Sequence, residues 1–329
     1  MEFQMRNQAF EVFHEVCLQG EHTDVTIKVQ ERDFKAHKII LCGCSPFFRM
    51  LFSTQWSRTE DSFSFQEISS DIMSLIIDFA YARPISITED NVFELLVMAD
   101  QFLISGLVET CCRFLEENLS PINCLSTLVF SKKFYSCSKI QHIAKLYVLQ
   151  HFDEIIKVSQ EFLEVPLDVL VEMFGQDELN VKEEETVFEA IIHWIEHLPE
   201  QRKNHIAELI SKVRLCRISP EYFINKVKIH TFISENQECS NIIVHAMMTL
   251  LDNHDGPAVI DYDLINQLSR PRLPSVILLA IGGWSIGSPT NAIEAYDTRV
   301  NCWVNVTQEE EPPRAYHGAA TLNGCVYCV

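Results

Sequence analysis

Cationic side chains are scarce in this chain. Its 329 residues hold 26 Lys and Arg against 46 Asp and Glu, a formal charge of −20. A nucleic-acid surface needs clustered cations to neutralise phosphates, so this balance argues against DNA and RNA partners. It disfavours an anionic membrane for the same reason. Long apolar runs are missing too: the longest, Val276–Ile281, is far too short to span a bilayer. The opening residues, MEFQMRNQAFEVFHEV, are amphipathic and acidic, unlike a secretory signal. There is no glycine loop shaped to cradle phosphate, no G-x-S-x-G and no carboxylate pair that the pattern places in one pocket. The sequence therefore offers no enzyme and no cofactor.

What is there is an ordinary globular composition, 47% apolar and 22% charged, with length for two domains and part of a third. Twelve cysteines tend to fall inside apolar helical segments, as Cys17, Cys111, Cys112 and Cys124 do. They read as reduced, buried thiols of a protein of the cytosol or nucleus.

Residues 5–19 read as a helix with Ala9, Phe10, Phe13, Val16 and Cys17 on one stripe, ended by Gly20. Val25, Ile27 and Val29 then alternate as a half-buried strand. Short helices follow over 37–44 and 46–52, with Pro46 suited to a first helical turn. Another strand is expected at 62–65, a helix capped by Ser69 or Ser70, a helix over 92–102, and a last helix set off by Gly106. Residues 1–120 thus form a small α+β domain. From 121 to 251 strand signals vanish and helical stripes recur, such as Val187, Phe188, Ile191, Ile192 and Ile195, so this is an all-α domain. Within it, residues 151–200 carry 14 Asp or Glu against 2 Lys, either a solvated surface or a docking face for a basic partner. Residues 252–275, with Gly256, Pro257, Pro271 and Pro274, read as a linker. The remainder, 276–329, has β composition.

One motif is literal: His193-Trp194-Ile195-Glu196-His197 matches the H-x-x-E-H of inverted zinc peptidases. On a helical wheel both histidines point away from the apolar face, which suits two surface side chains better than a zinc site facing a dry cleft. Cys325-x-x-Cys328 falls on an expected strand, the wrong setting for a redox turn. His37 with Cys42 and Cys44 suggests a metal clip, but the cysteines read more simply as small buried side chains. Asn305-Val306-Thr307 is a glycosylation acceptor that stays unmodified without secretion. No metal site is expected.

The order of several motifs carries a family resemblance. Thr23-Asp24-Val25, Ala36-His37-Lys38 and Ser45-Pro46-Phe47-Phe48-Arg49-Met50-Leu51-Phe52 look like a BTB/POZ domain. Cys112-Arg113-Phe114-Leu115 and Asn123-Cys124-Leu125 resemble the join to a BACK domain. Glu161-Phe162-Leu163, Asp177-Glu178-Leu179-Asn180-Val181, Val187-Phe188-Glu189-Ala190, Trp194 and Val213-Arg214-Leu215 resemble that domain itself. Gly282-Gly283, Tyr296 and Trp303 resemble a kelch repeat. The chain is identified on these grounds as a member of the kelch-like BTB-BACK-kelch family.

The resemblance implies an adaptor of a cullin-3 ubiquitin ligase, dimeric through its BTB domain with itself or another BTB protein. The stripe Ala9, Phe10, Phe13, Val16 and Cys17 would form the dimer interface. Phe48, Leu51, Phe52 and Trp56 match the cullin-docking helix and the loop after it. The family places a Glu two positions after its loop hydrophobe. Here that place is Arg58, and the acid arrives at Glu60. Trp56 is either an interface anchor or packs within the chain. Leu125, Leu128, Val129, Tyr135 and Ile140 would extend the cullin groove, while Asp24 and His37 match positions that maintain the fold.

A kelch blade takes about 50 residues and a propeller typically 4–8 blades. Residues 276–329 therefore supply about one blade and the opening of a second. The kelch part is expected to be incomplete, with unpaired strand edges, an uncovered apolar face and impaired substrate recruitment. A dimeric scaffold without a ligase role, or a dominant-negative partner of full-length relatives, is the alternative reading.

Overall fold

The computed structural model describes residues 2–53, 61–250, 262–272, 277–297, 302–307, 312–322 and 325–328. The chain divides into two compact units, Met1–Tyr147 and Val148–Val329.

The first unit opens with α1 (Glu2–Leu18), β1 (Val25–Val29), β2 (Arg32–Ala36), α2 (Lys38–Cys44), α3 (Pro46–Ser53) and β3 (Ser62–Phe65). It continues through α4 (Ser70–Ala80), α5 (Val92–Gln101), α6 (Ser105–Glu117), α7 (Cys124–Ser131), a 3-10 turn (Tyr135–Cys137) and α8 (Ser138–Gln150). The sheet order is β2-β1-β3. The alternation of Val25, Ile27 and Val29 buries all three in the core, as period-2 geometry demands. β3 runs parallel to β1, with Ile27 opposite Phe63. β2 pairs antiparallel to β1 and went unseen in the sequence, because Arg-Asp-Phe-Lys-Ala buries only Ala36 fully.

Local chemistry starts the helices where it should. The Ser45 hydroxyl accepts from the Phe48 N–H at 3.1 Å, and Pro46 occupies the first helical turn of α3, where its missing N–H costs nothing. Ser69 caps α4 by accepting from the Ile72 N–H. Gly106 does not separate two helices as expected; it lies inside α6. A Cβ there would sit 3.3 Å from Cζ of Phe79, so the glycine serves the close approach of that ring.

The second unit carries α9 (Phe152–Val158), a 3-10 turn (Gln160–Glu164), α10 (Leu167–Gly175), α11 (Glu184–His197), α12 (Pro199–Arg202), α13 (Ile206–Ile210) and α14 (Pro220–Tyr222). It then adds α15 (Thr231–Ser234), α16 (Gln237–Leu250) and α17 (Tyr262–Ser269). The last helix lies in the stretch read as an irregular linker. Its Leu268 is fully buried, and Arg272 beyond it is buried as well. Arg272 bonds both carboxylate oxygens of Glu184, at 2.5 and 3.2 Å, and donates to the carbonyls of Phe174 and Gln176 at 3.0 and 2.7 Å. One guanidinium thus satisfies orphan carbonyls at the end of α10 and the carboxylate that opens α11. Beside it Arg214 donates to Asp177 at 2.8 Å, and Arg270 pairs with the same carboxylate. Desolvation, more than the neighbouring Arg272, pushes the Arg214 guanidinium below its ordinary value. Asp177 and Glu184 of the acidic stretch therefore face inward to arginines, whereas Glu185 and Glu189 accept from the Ser219 N–H and the Tyr222 hydroxyl.

Strands close the described chain: β4 (Ile277–Ile281), β5 (Trp284–Ser285), β6 (Ser288–Pro289), β7 (Ile293–Asp297), β8 (Cys302–Asn305), β9 (Ala319–Leu322) and β10 (Cys325–Cys328). They form small open sheets, β4-β7-β8, β5-β6 and β9-β10, and among the described residues none closes into a barrel or propeller. Tyr296 and Trp303 stand opposite each other on β7 and β8 with ring centroids 5.2 Å apart. Gly282 has φ +64°, and a Cβ there would collide with the Arg314 carbonyl oxygen, so this position admits glycine alone without a backbone shift. Leu278, Trp284, Trp303 and Val304 leave apolar surface exposed on these sheets. The architecture is thus α+β, then all-α, then a short run of open β-structure.

Candidate interaction surface

α1 turns its stripe partly inward. Cys17 is buried, its thiol donating to the Lys35 carbonyl at 3.1 Å, and desolvation pushes that thiol up. It is a core side chain of its own chain, which corrects its assignment to a dimer interface. Ala9, Phe10 and Val16 are half-buried. Phe13 is 42% exposed and meets Phe10 edge-on at 5.9 Å. The most open apolar side chains of the helix are Val12 and Leu18, at 53% and 75%, which the stripe did not include. They lie off the stripe on the helical wheel, Leu18 nearly opposite it, so the apolar periodicity does not pick them out.

The same sorting occurs on α3. Phe48 is 1% exposed and sits among the rings of Phe47, Phe52, Phe65 and Phe102, with centroids 5.2–6.4 Å away. Its role as a docking side chain is corrected: a partner cannot touch it without opening the core. Leu51 and Phe52 are half-buried, and Lys38 Nζ lies 5.9 Å from the Phe52 ring centre. Met50, 61% exposed, is the open apolar residue beside them that sequence reasoning missed. Trp56, Arg58 and Glu60 lie outside the described residues.

Beyond α6, the chain expected to extend the groove folds against the first unit's core. Leu125, Leu128 and Ile140 are buried and Val129 is half-buried, while Tyr135 is 98% exposed. Of that set only Tyr135 projects fully into solvent, and Ile122 joins it as an exposed apolar neighbour in sequence. The buried three, placed along the groove by family resemblance, are corrected from contact residues to core residues.

The other candidates resolve into local structure. His37 Nδ1 lies 2.7 Å from the Tyr81 hydroxyl, and the His37 backbone N–H donates to the same oxygen at 3.0 Å. Asp24 accepts from the Lys38 N–H at 2.6 Å, at the start of α2. Cys44 donates to the Leu41 carbonyl at 3.3 Å, and burial pushes its thiol up to about 11. His193 and His197 are both exposed on α11, with His197 Nε2 3.0 Å from a Glu164 carboxylate oxygen. Among the described residues no group of three His, Cys, Asp or Glu is placed to hold a metal. No described helix is long and apolar enough to cross a membrane.

Comparison with known proteins agrees with this arrangement. Residues 13–119 match the BTB/POZ domain, and residues 124–228 match BACK, described as BTB And C-terminal Kelch. A solved structure, the BTB domain of zebrafish PATZ1, is 25% identical, covering 35% of this chain and 94% of its own, with a TM-score of 0.33. By the two family matches alone, the chain carries a BTB/POZ domain followed directly by a BACK domain, in the order of the BTB-BACK-kelch architecture.

Proposed function

We propose that the chain is an adaptor without catalytic residues of its own, which dimerises through its BTB domain and holds cullin-3 for protein ubiquitination. The observation that carries the reading is the succession of a BTB and a BACK match, with open apolar side chains left on α1 and α3. In this reading Val12, Phe13 and Leu18, with the half-buried Ala9, Phe10 and Val16 of the same helix, meet a second BTB domain. Met50, Leu51 and Phe52 meet cullin-3, joined by Trp56 and Glu60, which follow α3 in sequence. Domain limits at 1–120 and 121–251, a segment over 252–275 that carries the packed α17, and a kelch segment over 276–329 belong to the same proposal. The glycine at 282 and the Tyr296–Trp303 pair support its last part. The segments RPRLP, AIGGWS and PRAYHGAA point to a germ-cell member of the kelch-like family, working in the cytoplasm.

Pull-down on immobilised cullin-3 tests the proposal. The wild-type chain is captured, and Met50→Asp weakens capture by at least about tenfold, the scale of an interface hot spot, with an unchanged thermal unfolding curve. Wild-type chain that passes through without retention overturns the ligase reading and leaves a dimeric scaffold.

A further inference from the structure

Three cysteines meet where α6 faces the turn that leads into α8. Cys111 and Cys112 are neighbours on α6, and Cys137 closes the Tyr135–Cys137 turn. All three are free thiols. The Cys112 thiol points at Cys137 Sγ across 3.9 Å. Cys111 is fully buried, which pushes it up to about 12 and keeps it protonated. Cys112 is half-buried and offers the pair a side open to small solutes, while Cys137 is enclosed.

The surroundings divide the two thiols. The S–H of Cys112 directed at Cys137 is the main influence on both, holding the Cys137 thiol down to about 7 and pushing Cys112 up. Desolvation, and less strongly Asp100, oppose a thiolate at Cys137, and the Ser136 hydroxyl donates to that carboxylate at 2.6 Å. Ser136 Oγ itself lies 3.8 Å from Cys137 Sγ. Lys139 favours a thiolate at Cys112 and is paired with Glu116 at 2.9 Å. The arrangement is one nucleophilic sulfur with a resolving thiol beside it.

We propose that Cys112 and Cys137 form a reversible disulfide site, oxidised by hydroperoxides. A disulfide needs about 2.05 Å between sulfurs, so from 3.9 Å the pair must close by about 1.9 Å. Reached from the half-buried Cys112 side, the Cys137 thiolate attacks the terminal oxygen of the hydroperoxide ROOH; an S–O bond forms, the O–O bond breaks and RO⁻ leaves, which is hydroxide for hydrogen peroxide. Cys112 then attacks the Cys137 sulfur; the S–S bond forms, the S–O bond breaks, and the departing hydroxide takes the Cys112 proton as water. Two thiols are oxidised and one peroxide is reduced. Excess dithiol reverses the bond by exchange. The product ties the last helix within the BTB match to the turn inside the BACK match, two residues from the exposed Tyr135.

The test uses the unmodified full chain, exposed to hydrogen peroxide, alkylated with N-ethylmaleimide, digested and read by mass spectrometry. The expected product is one peptide pair joined through Cys112 and Cys137, lighter by two hydrogens and separated by dithiothreitol. In Cys112→Ser, which removes the resolving thiol, Cys137 is instead trapped as a sulfenic acid by dimedone. The proposal is overturned if Cys112 and Cys137 are each recovered singly alkylated after peroxide, or if Cys111 takes the place of Cys112 in the bond.

Discussion

Phe48→Ala is expected to lower the stability of the first unit by about 3–5 kcal/mol, the cost of emptying a fully buried aromatic site. The ring is enclosed by four others, and Phe47 and Phe65 are themselves in contact with Phe102, so no neighbour is free to collapse into the space. Urea unfolding followed by circular dichroism measures the loss. Its size matters for function, because weaker capture of cullin-3 by this variant follows from a damaged domain. Met50→Asp separates the two effects, since that side chain is 61% exposed and touches little of the core. A stability change under about 1 kcal/mol in Phe48→Ala would return the ring to the surface and contradict its place in the core.

Arg272→Met is expected to cost the second unit about 3–5 kcal/mol, the range for breaking a buried ion pair by removing one partner. Both side chains are nearly inaccessible, so solvent screening offers no relief. The loss has two parts: Glu184 stays buried with the Arg214 N–H as its remaining donor among the described residues, and the carbonyls of Phe174 and Gln176 lose the guanidinium. Adding Glu184→Gln to Arg272→Met removes the stranded charge and should recover a good part of the loss, a coupling that a double-mutant cycle reads directly. A loss below about 1 kcal/mol in the single variant would mean that Arg272 does not anchor the stretch after α17.

These two residues also mark what a sequence conveys and what it withholds. The alternation at Val25, Ile27 and Val29 is a local pattern, and it yielded β1 directly. The wheel at 187–195 put His193 and His197 outward on α11, where they are. Such patterns separate a covered face from an open one. They do not tell depth, so Phe48 and Phe52 share one apolar helix face although a ring of four aromatics encloses only the first. Nor do they tell what lies opposite, and the family resemblance that placed Leu125, Leu128 and Ile140 along a groove does not tell it either. Arg272 was illegible for a different reason: its meaning comes from Glu184, 88 positions away, and its flanking prolines signal irregular chain. Cys112 and Cys137 stand 25 residues apart and meet only through the packing of α6 on a turn. β2 went unseen because a mostly exposed edge strand needs few apolar residues.

The central claim is that open apolar side chains on α1 and α3 join this chain to a second BTB domain and to cullin-3. Multi-angle light scattering of the full chain, alone and with purified cullin-3, tests it in one experiment. The expected mass is that of two chains of 37.9 kDa each, with a heavier species when cullin-3 is added and a single chain for Phe13→Asp. A wild-type chain that elutes at 37.9 kDa and gains no mass with cullin-3 would contradict it.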